Sequence, residues 1–239
     1  MSHVTMHLWR VPTARIPQAI GRMGVDRIRL RGTPGMIFHK LLGTGDGTTF
    51  SPRDADLRTW GLVATWRTRH DSVAFEAHPT LRGWRRIAEE EWRADLRPLR
   101  SRGQWSGREP FVPTADPGVW DGPVASITRA RLVARKASTF WRAVPPVVAD
   151  LPDASGGPLL RVGIGEAPIG LQGTFTIWSS LDDLIDFAYR RTPHRQAIED
   201  TSRLGWYAEE MFARFAVLGI RGTVFGVDLS DDRRGAGVT

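Results

Sequence analysis

Hydrophobic and polar positions along the chain fall into short runs whose period alternates between that of a strand and that of a helix. Residues 4–11, Val-Thr-Met-His-Leu-Trp-Arg-Val, alternate as a strand does, and a helix follows over about 14–29. A β-rich run over 35–43 is closed by glycines, and 59–66 is a further strand. From Pro79 onward, Leu81, Trp84, Ala88, Trp92 and Leu96 recur at helical spacing and predict one amphipathic helix. The second half reads alike, with strands over 124–133, 159–164 and 173–178 and a helix over 136–149. A long helix over about 193–216 is predicted from the stripe Ala197, Ile198, Thr201, Leu204, Ala208, Met211, Phe212 and Phe215. Each half therefore carries the order β-α-β-β-α-β, the ferredoxin-like pattern.

Self-similarity supports a duplication. Gly61–Trp66 matches Gly173–Trp178 at an offset of 112 residues, and Phe75 matches Phe187 at the same offset. Trp92 and Trp206 match at 114, and Gly43-x-Gly45 and Gly163-x-Gly165 at 120, so the offset drifts with loop length while the order of elements is kept. The expected class is α+β: two tandem ferredoxin-like repeats, spanning 1–100 and 124–225, with their sheets face to face. A Gly-, Pro- and Ser-rich connector occupies 101–123, and 226–239 reads as a flexible tail. A space between sheet and helices is then available for a ligand.

Composition narrows the chemistry. The chain of 239 residues has no cysteine, which excludes disulfides, thiol catalysis and Cys-zinc sites. The first residues lack a signal-peptide pattern and no long apolar run occurs, so a cytoplasmic location is expected, with any membrane contact peripheral. A net charge of +7 invites a nucleic-acid reading, but the charge is almost all arginine and is interrupted by acidic groups such as Glu89-Glu90-Glu91. We expect no nucleic-acid partner; acidic lipids or carboxylates remain open.

Among six histidines, none shows HExxH or paired spacing for zinc. His3 and His7 share a face of the first strand, close to an end expected to fray; His39 sits in a strand, His70 in a loop, and His78 caps the helix that Pro79 opens. His194 follows Thr192, a good N-cap, and Pro193, a good first helical residue. The positive end of the helix dipole favours its neutral form, which is the form that ligates a metal. A lone histidine there serves as a cap, a core residue or a ligand. The related position in the first half is Arg82, so one site per chain is implied. Gly163-Ile-Gly165-Glu166-Ala-Pro168 lacks phosphate-loop spacing and reads as a turn between strands, with Glu166 a candidate pocket carboxylate.

Several stretches together resemble the spheroidene monooxygenase family of carotenoid-modifying enzymes. They are Arg31-Gly-Thr-Pro-Gly35 with Lys40-Leu-Leu-Gly-Thr-Gly45, Arg102 to Phe111, Ile127 to Ala130, Phe140 to Pro145, Gly163 to Pro168, and Phe175 to Trp178 running on through Phe187-Ala-Tyr189, His194 and Gly205 to Glu210. The resemblance implies a dimeric α+β barrel within one chain. It also implies an oxidoreductase, a heme b monooxygenase that uses molecular oxygen and an electron-donor protein to place a hydroxyl or keto group on an apolar acyclic carotenoid. On the same resemblance His194 is the axial iron ligand. Arg129, Arg190 and Arg195 are the candidates to pair with heme propionates, and Phe175, Trp178, Phe187 and Trp206 the candidates for an apolar wall that excludes water. A heme enzyme acting on another small metabolite and a non-catalytic ligand-binding barrel are the alternatives, and a homo-oligomer is open.

Overall fold

The structure, a computed structural model, describes residues 2–46, 54–114, 118–132, 157–166, 171–187 and 207–229. The first half is β1 (His3–Arg10), α1 (Ile16–Arg29), β2 (Met36–Gly45), β3 (Ala55–Trp66), the short helices α2 (Arg69–Ala74) and α3 (Pro79–Arg85), and β4 (Glu90–Gly103). The second half contributes β5 (Val124–Leu132), β6 (Leu160–Gly165), β7 (Leu171–Trp178), α4 (Leu181–Ile185) and β8 (Tyr207–Val224), followed by the two-residue β9 (Val227–Asp228). The strand order is β4-β1-β3-β2-β6-β7-β5-β8, and β8 pairs back onto β4. Each half thus supplies a four-stranded antiparallel ferredoxin-like sheet, and the two sheets close into one eight-stranded α+β barrel.

The two seams differ in length. β4 and β8 pair from Trp92↔Gly222 to Gly103↔Met211, whereas β2 and β6 share only Gly43↔Gly165, Thr44↔Ile164 and Gly45↔Gly163. The two GxG repeats therefore pair with each other, and the second is a strand segment where the sequence suggested a turn. Strand alternation sends Val4, Met6 and Leu8 of β1 into the barrel, where they meet Phe38, Val63, Trp92, Phe175 and Phe215 in one core. The odd residues of β1 face α1 and α3 instead, in a second layer built from Trp9, Trp60, Trp66, Phe75 and Trp84. Burial of this much aromatic area supplies much of the driving force for closure.

The duplication recurs in atomic detail. Trp66 packs on Phe75 with ring centroids 4.9 Å apart, and their counterparts Trp178 and Phe187 do so at 5.1 Å. The N-cap of α2 is Thr68, which accepts from the backbone of Asp71; that of α4 is Ser180, which accepts from Asp183, again 112 residues on.

Two predicted helices are corrected. The one from Pro79 ends at Arg85, and Trp92 and Leu96 belong to β4 and face the barrel core. The reversal is held by Arg85, whose Nε donates to both carboxylate oxygens of Glu91 at 2.9 Å. The C-terminal part of the long helix is β8 from Tyr207 onward, where Met211, Ala213 and Phe215 are buried at strand period. Its apolar positions satisfy both periods, and pairing with β4 and β5 on either side decides for the strand. The rest of that predicted helix, with the helix over 136–149, lies outside the described residues. Nor is β1 frayed: it is an interior strand whose His3 and His7 are both buried.

Candidate functional site

One end of the barrel is crossed by residues 104–112, which follow β4. Gly103 turns the chain there at φ 87°, and a Cβ would stand 2.2 Å from the carbonyl oxygen of Glu210, so only glycine fits. Trp105 and Arg108 then bond to one another through both backbone pairs, enclosing Ser106 at φ 55° and Gly107 at φ 68°. Positive φ at both central residues is the type I′ signature. Trp105 and Phe111 drop into the barrel, fully buried, against Phe38 at 5.7 and 6.2 Å.

Beneath this plug lies a cluster of charges drawn from four segments. Arg129, on the inward face of β5, is 3% exposed and pairs with Glu209 and, at 3.3 Å, with Glu166 Oε1. Its guanidinium also stands 5.2 Å over the Trp105 ring. Glu166 accepts from Trp105 Nε1 and pairs with Lys40 Nζ, which also donates to Ser106 Oγ at 2.6 Å. Lys40 and Glu166 are joined across the short β2–β6 seam, next to where its backbone ladder stops. Glu209 is cradled by the strained turn, accepting from Ser106 N–H at 3.0 Å and Gly107 N–H at 2.9 Å. Burial alone would raise its pKa, but the Gly107 and Ser106 amides and the Arg129 guanidinium outweigh it and hold the carboxyl below its ordinary range.

Two cations and two carboxylates so deeply placed are costly to desolvate and persist only when mutually satisfied. A balanced, tightly bonded group of this kind can fix the plug on the barrel end and hold a permanent local field. Among the described residues no three His, Asp or Glu side chains are grouped to bind a metal ion. No helix among them is long and apolar enough to cross a membrane.

The residues singled out by sequence fall in different places. Arg129 and Glu166 meet in the cluster. Phe175 is in the barrel core, 6.0 Å from Trp92, whereas Trp178 and Phe187 pack together in the outer layer beside α4, so the three do not share a wall. Arg190, His194, Arg195 and Trp206 lie outside the described residues. Lys40, Trp105, Ser106, Gly107 and Glu209 were not singled out. Lys40 did carry a signal, being one of only two lysines in an arginine-rich chain.

Of the other histidines, His3, His7 and His78 are engaged or enclosed, whereas His39 is half-buried beside Lys40 and His70 is exposed. His3 Nε2 is 2.9 Å from Asp95 Oδ1, and His78 Nδ1 accepts from Thr80 N–H at 3.2 Å as the cap of α3. His7 is sealed between Trp9 at 5.6 Å and Phe75 at 6.3 Å, with both ring nitrogens unpartnered. Burial, followed by the nearby Arg93, lowers its pKa well below 6.5 and keeps it neutral.

Fold and site together define an intramolecular α+β barrel of two ferredoxin-like units with a charged, plugged end. The same overall fold occurs in aldoxime dehydratase, which superposes with a TM-score of 0.56 at 12% identity over 90% of this chain and 81% of that one. An aldoxime dehydratase in complex with butyraldoxime gives 0.54 at 14% identity, over 90% and 79%. No protein-family model matches the chain. Curated relatives are much nearer in sequence. The spheroidene monooxygenase of Rhodobacter capsulatus is 36% identical over 219 residues, 90% of each chain, and that of Rubrivivax gelatinosus is 35% identical over 212 residues, 88% of this chain and 80% of its own. The chain belongs to the spheroidene monooxygenase family and is an oxidoreductase. Lys40, Trp105, Ser106, Gly107, Arg129, Glu166 and Glu209 all come from the stretches that carried the sequence resemblance, and they converge on the barrel-end cluster.

Proposed function

We propose that the protein is a heme-dependent monooxygenase that oxidises one methylene of an acyclic, apolar polyene. The observation that carries the reading is the family membership at 36% identity along 90% of the chain; the meeting of the family-bearing stretches at one end of the barrel supports it. In the overall balance each hydroxylation consumes one O2, two electrons and two protons and releases one water. A second hydroxylation at the same carbon gives a geminal diol, which loses water to the ketone. The electrons come from a separate donor protein.

Heme is one redox group able to drive such a hydroxylation, and bound here it would supply oxygen activation. The described residues do not themselves fit it. The helix–sheet layer of the first half is filled by Trp9, Trp60, Trp66, Phe75 and Trp84, and the barrel interior is filled as well. His7, though neutral, is enclosed by rings. In this reading His194, the residue to which the sequence resemblance points, would ligate the iron, with Arg190 and Arg195 near it on the chain. Arg129 is already committed to two carboxylates, and its part is to hold the plugged end together.

The test is a visible absorption spectrum of the purified protein, before and after hemin, for the natural chain and His194→Ala. A Soret band that is lost or shifted in the variant supports the reading. An identical spectrum in both removes His194 as ligand, and no uptake by either removes the heme. Conversion of an acyclic carotenoid to its ketone, followed by chromatography with oxygen and a reductant supplied, then tests the substrate.

A further inference from the structure

Helix α1 turns Ile16, Ala19 and Met23 toward the core. One ion pair is turned in with them: Asp26 is fully buried, pairs with Arg22 at 2.9 Å and accepts from the Thr80 hydroxyl at 3.1 Å. At helical spacing its outward side presents Pro17, Gly21, Gly24, Val25 and Ile28, flanked by Ile20. Ile20, Val25 and Ile28 are 52%, 47% and 67% exposed. Among the described residues nothing lies within 4 Å of where a Cβ would stand on Gly21 or Gly24. Packing among the described residues therefore explains none of these apolar choices.

Positive charge surrounds them. At its C-terminal end α1 leads into an open groove of about 460 Å³ lined by Arg31, Ile37, Phe38, Lys40, Ser106 and Arg108. Arg27, Arg31 and Arg108 have no acidic partner among the described residues, and Ile37 is 49% exposed. The only carboxylate of α1 is the buried Asp26.

We propose that the outer face of α1, with the arginine-rimmed groove at its end, is where the protein docks on a bilayer containing anionic lipid. Aliphatic side chains ringed by arginine suit an interface whose headgroups are negative and whose interior is apolar. A second copy of the chain suits it poorly, because a two-fold contact would set Arg27, Arg29 and Arg31 against their own copies with no exposed α1 carboxylate to answer them. The groove shares Lys40 and Ser106 with the barrel-end cluster, so the docked face lies next to the plugged end. This deepens the proposed function by saying where an apolar polyene is met, and it is tested without turnover, so the failure of one is distinguishable from the failure of the other.

The experiment is flotation of the full chain with vesicles of phosphatidylcholine alone or with one part in three phosphatidylglycerol. Binding to the anionic vesicles only, weakening with added salt, is expected. Each arginine held near an anionic surface strengthens binding about fivefold, so Arg27→Gln combined with Arg31→Gln lowers the partition coefficient about thirtyfold. Ile28→Glu, on a side chain that touches little, also releases the protein. Val119→Glu, at a 90% exposed position before β5, leaves binding unchanged, and circular dichroism confirms that every variant is folded. Absence of binding, equal binding to neutral vesicles, or variants indistinguishable from the natural chain would overturn the proposal. So would a concentration-dependent dimer that Ile28→Glu abolishes, since the face would then belong to a second copy.

Discussion

Replacing Arg129 with methionine removes a guanidinium that is 3% exposed and faces Glu166 and Glu209, while keeping much of the side-chain volume. Removing one member of a buried ion pair costs about 3–5 kcal/mol, because its partners stay buried without compensation. Here Lys40 still faces Glu166, and the Ser106 and Gly107 amides still serve Glu209, which places the loss at the lower end. A loss of about 3 kcal/mol in a chain of this size lowers the melting temperature by roughly 6–12 °C. The deficit depends on pH in a defined direction. Glu209 has its pKa lowered in the folded state, so it contributes stability above its ordinary value of 4.5 and loses it as pH falls through the folded value. With less lowering in the variant, the difference between natural chain and variant is widest near neutrality and narrows on acidification below 4.5. Thermal melts followed by far-ultraviolet circular dichroism, from neutral pH downward, measure this. Adding Glu166→Gln to Arg129→Met should cost less than Glu166→Gln alone, with a coupling of about 0.5–3 kcal/mol. A variant that melts with the natural chain at neutral pH, a gap that ignores pH, or strict additivity would each refute the account of the cluster.

Three further outcomes follow from the packing. His7→Leu replaces a buried, unpartnered polar ring and leaves neutral-pH stability within about 1 kcal/mol of the natural chain or above it. It also removes an acid dependence: below 6.5 the unfolded histidine takes up a proton that the folded one refuses, costing about 1.4 kcal/mol per pH unit, as urea midpoints on either side of that pH would show. Phe75→Ala, in the fully packed layer, costs about 3–5 kcal/mol, whereas Phe187→Ala costs less because Phe187 is only partly buried; comparing their melting temperatures checks the order. Ser180→Ala removes the cap of α4 and lowers stability by about 1 kcal/mol, and an unchanged denaturation midpoint would show that the cap does not matter there.

The first three strands of the first half were legible because each has its own glycine or polar boundary, whereas the fourth, Glu90–Gly103, was not. The duplication was legible through Trp66 and Phe75, whose counterparts Trp178 and Phe187 keep not only the spacing but the ring contact. What misled was periodicity without context. Trp92 and Leu96 sit at helical spacing from Leu81 but lie on β4, and Phe212 and Phe215 suit a helix as well as a strand until β4 and β5 flank them. The site was harder to read, since its charges lie 126 residues apart for Lys40 and Glu166 and 80 apart for Arg129 and Glu209. Only closure of the barrel brings them together. Ser106-Gly107 offered a local clue as a turn dipeptide, but nothing local shows that its amides hold a carboxylate.

The two seams of the ring join like to like, second strand to second strand and fourth to fourth, as two copies of a single unit would around a two-fold axis. Linking the copies into one chain makes such closure independent of concentration, and it lifts the requirement that the two sides of the axis be identical. The short seam shows where that freedom was used. The offset that superposes the GxG motifs relates Lys40 to Leu160 and Glu166 to Asp46, so a symmetric pair would need the ion pair twice, yet Leu160 is buried in the apolar core. Among the described residues the Lys40–Glu166 pair therefore has no counterpart at the other end of that seam. Two identical units would carry two equivalent ends, whereas the described residues of this chain gather Lys40, Arg129, Glu166 and Glu209 at one of them.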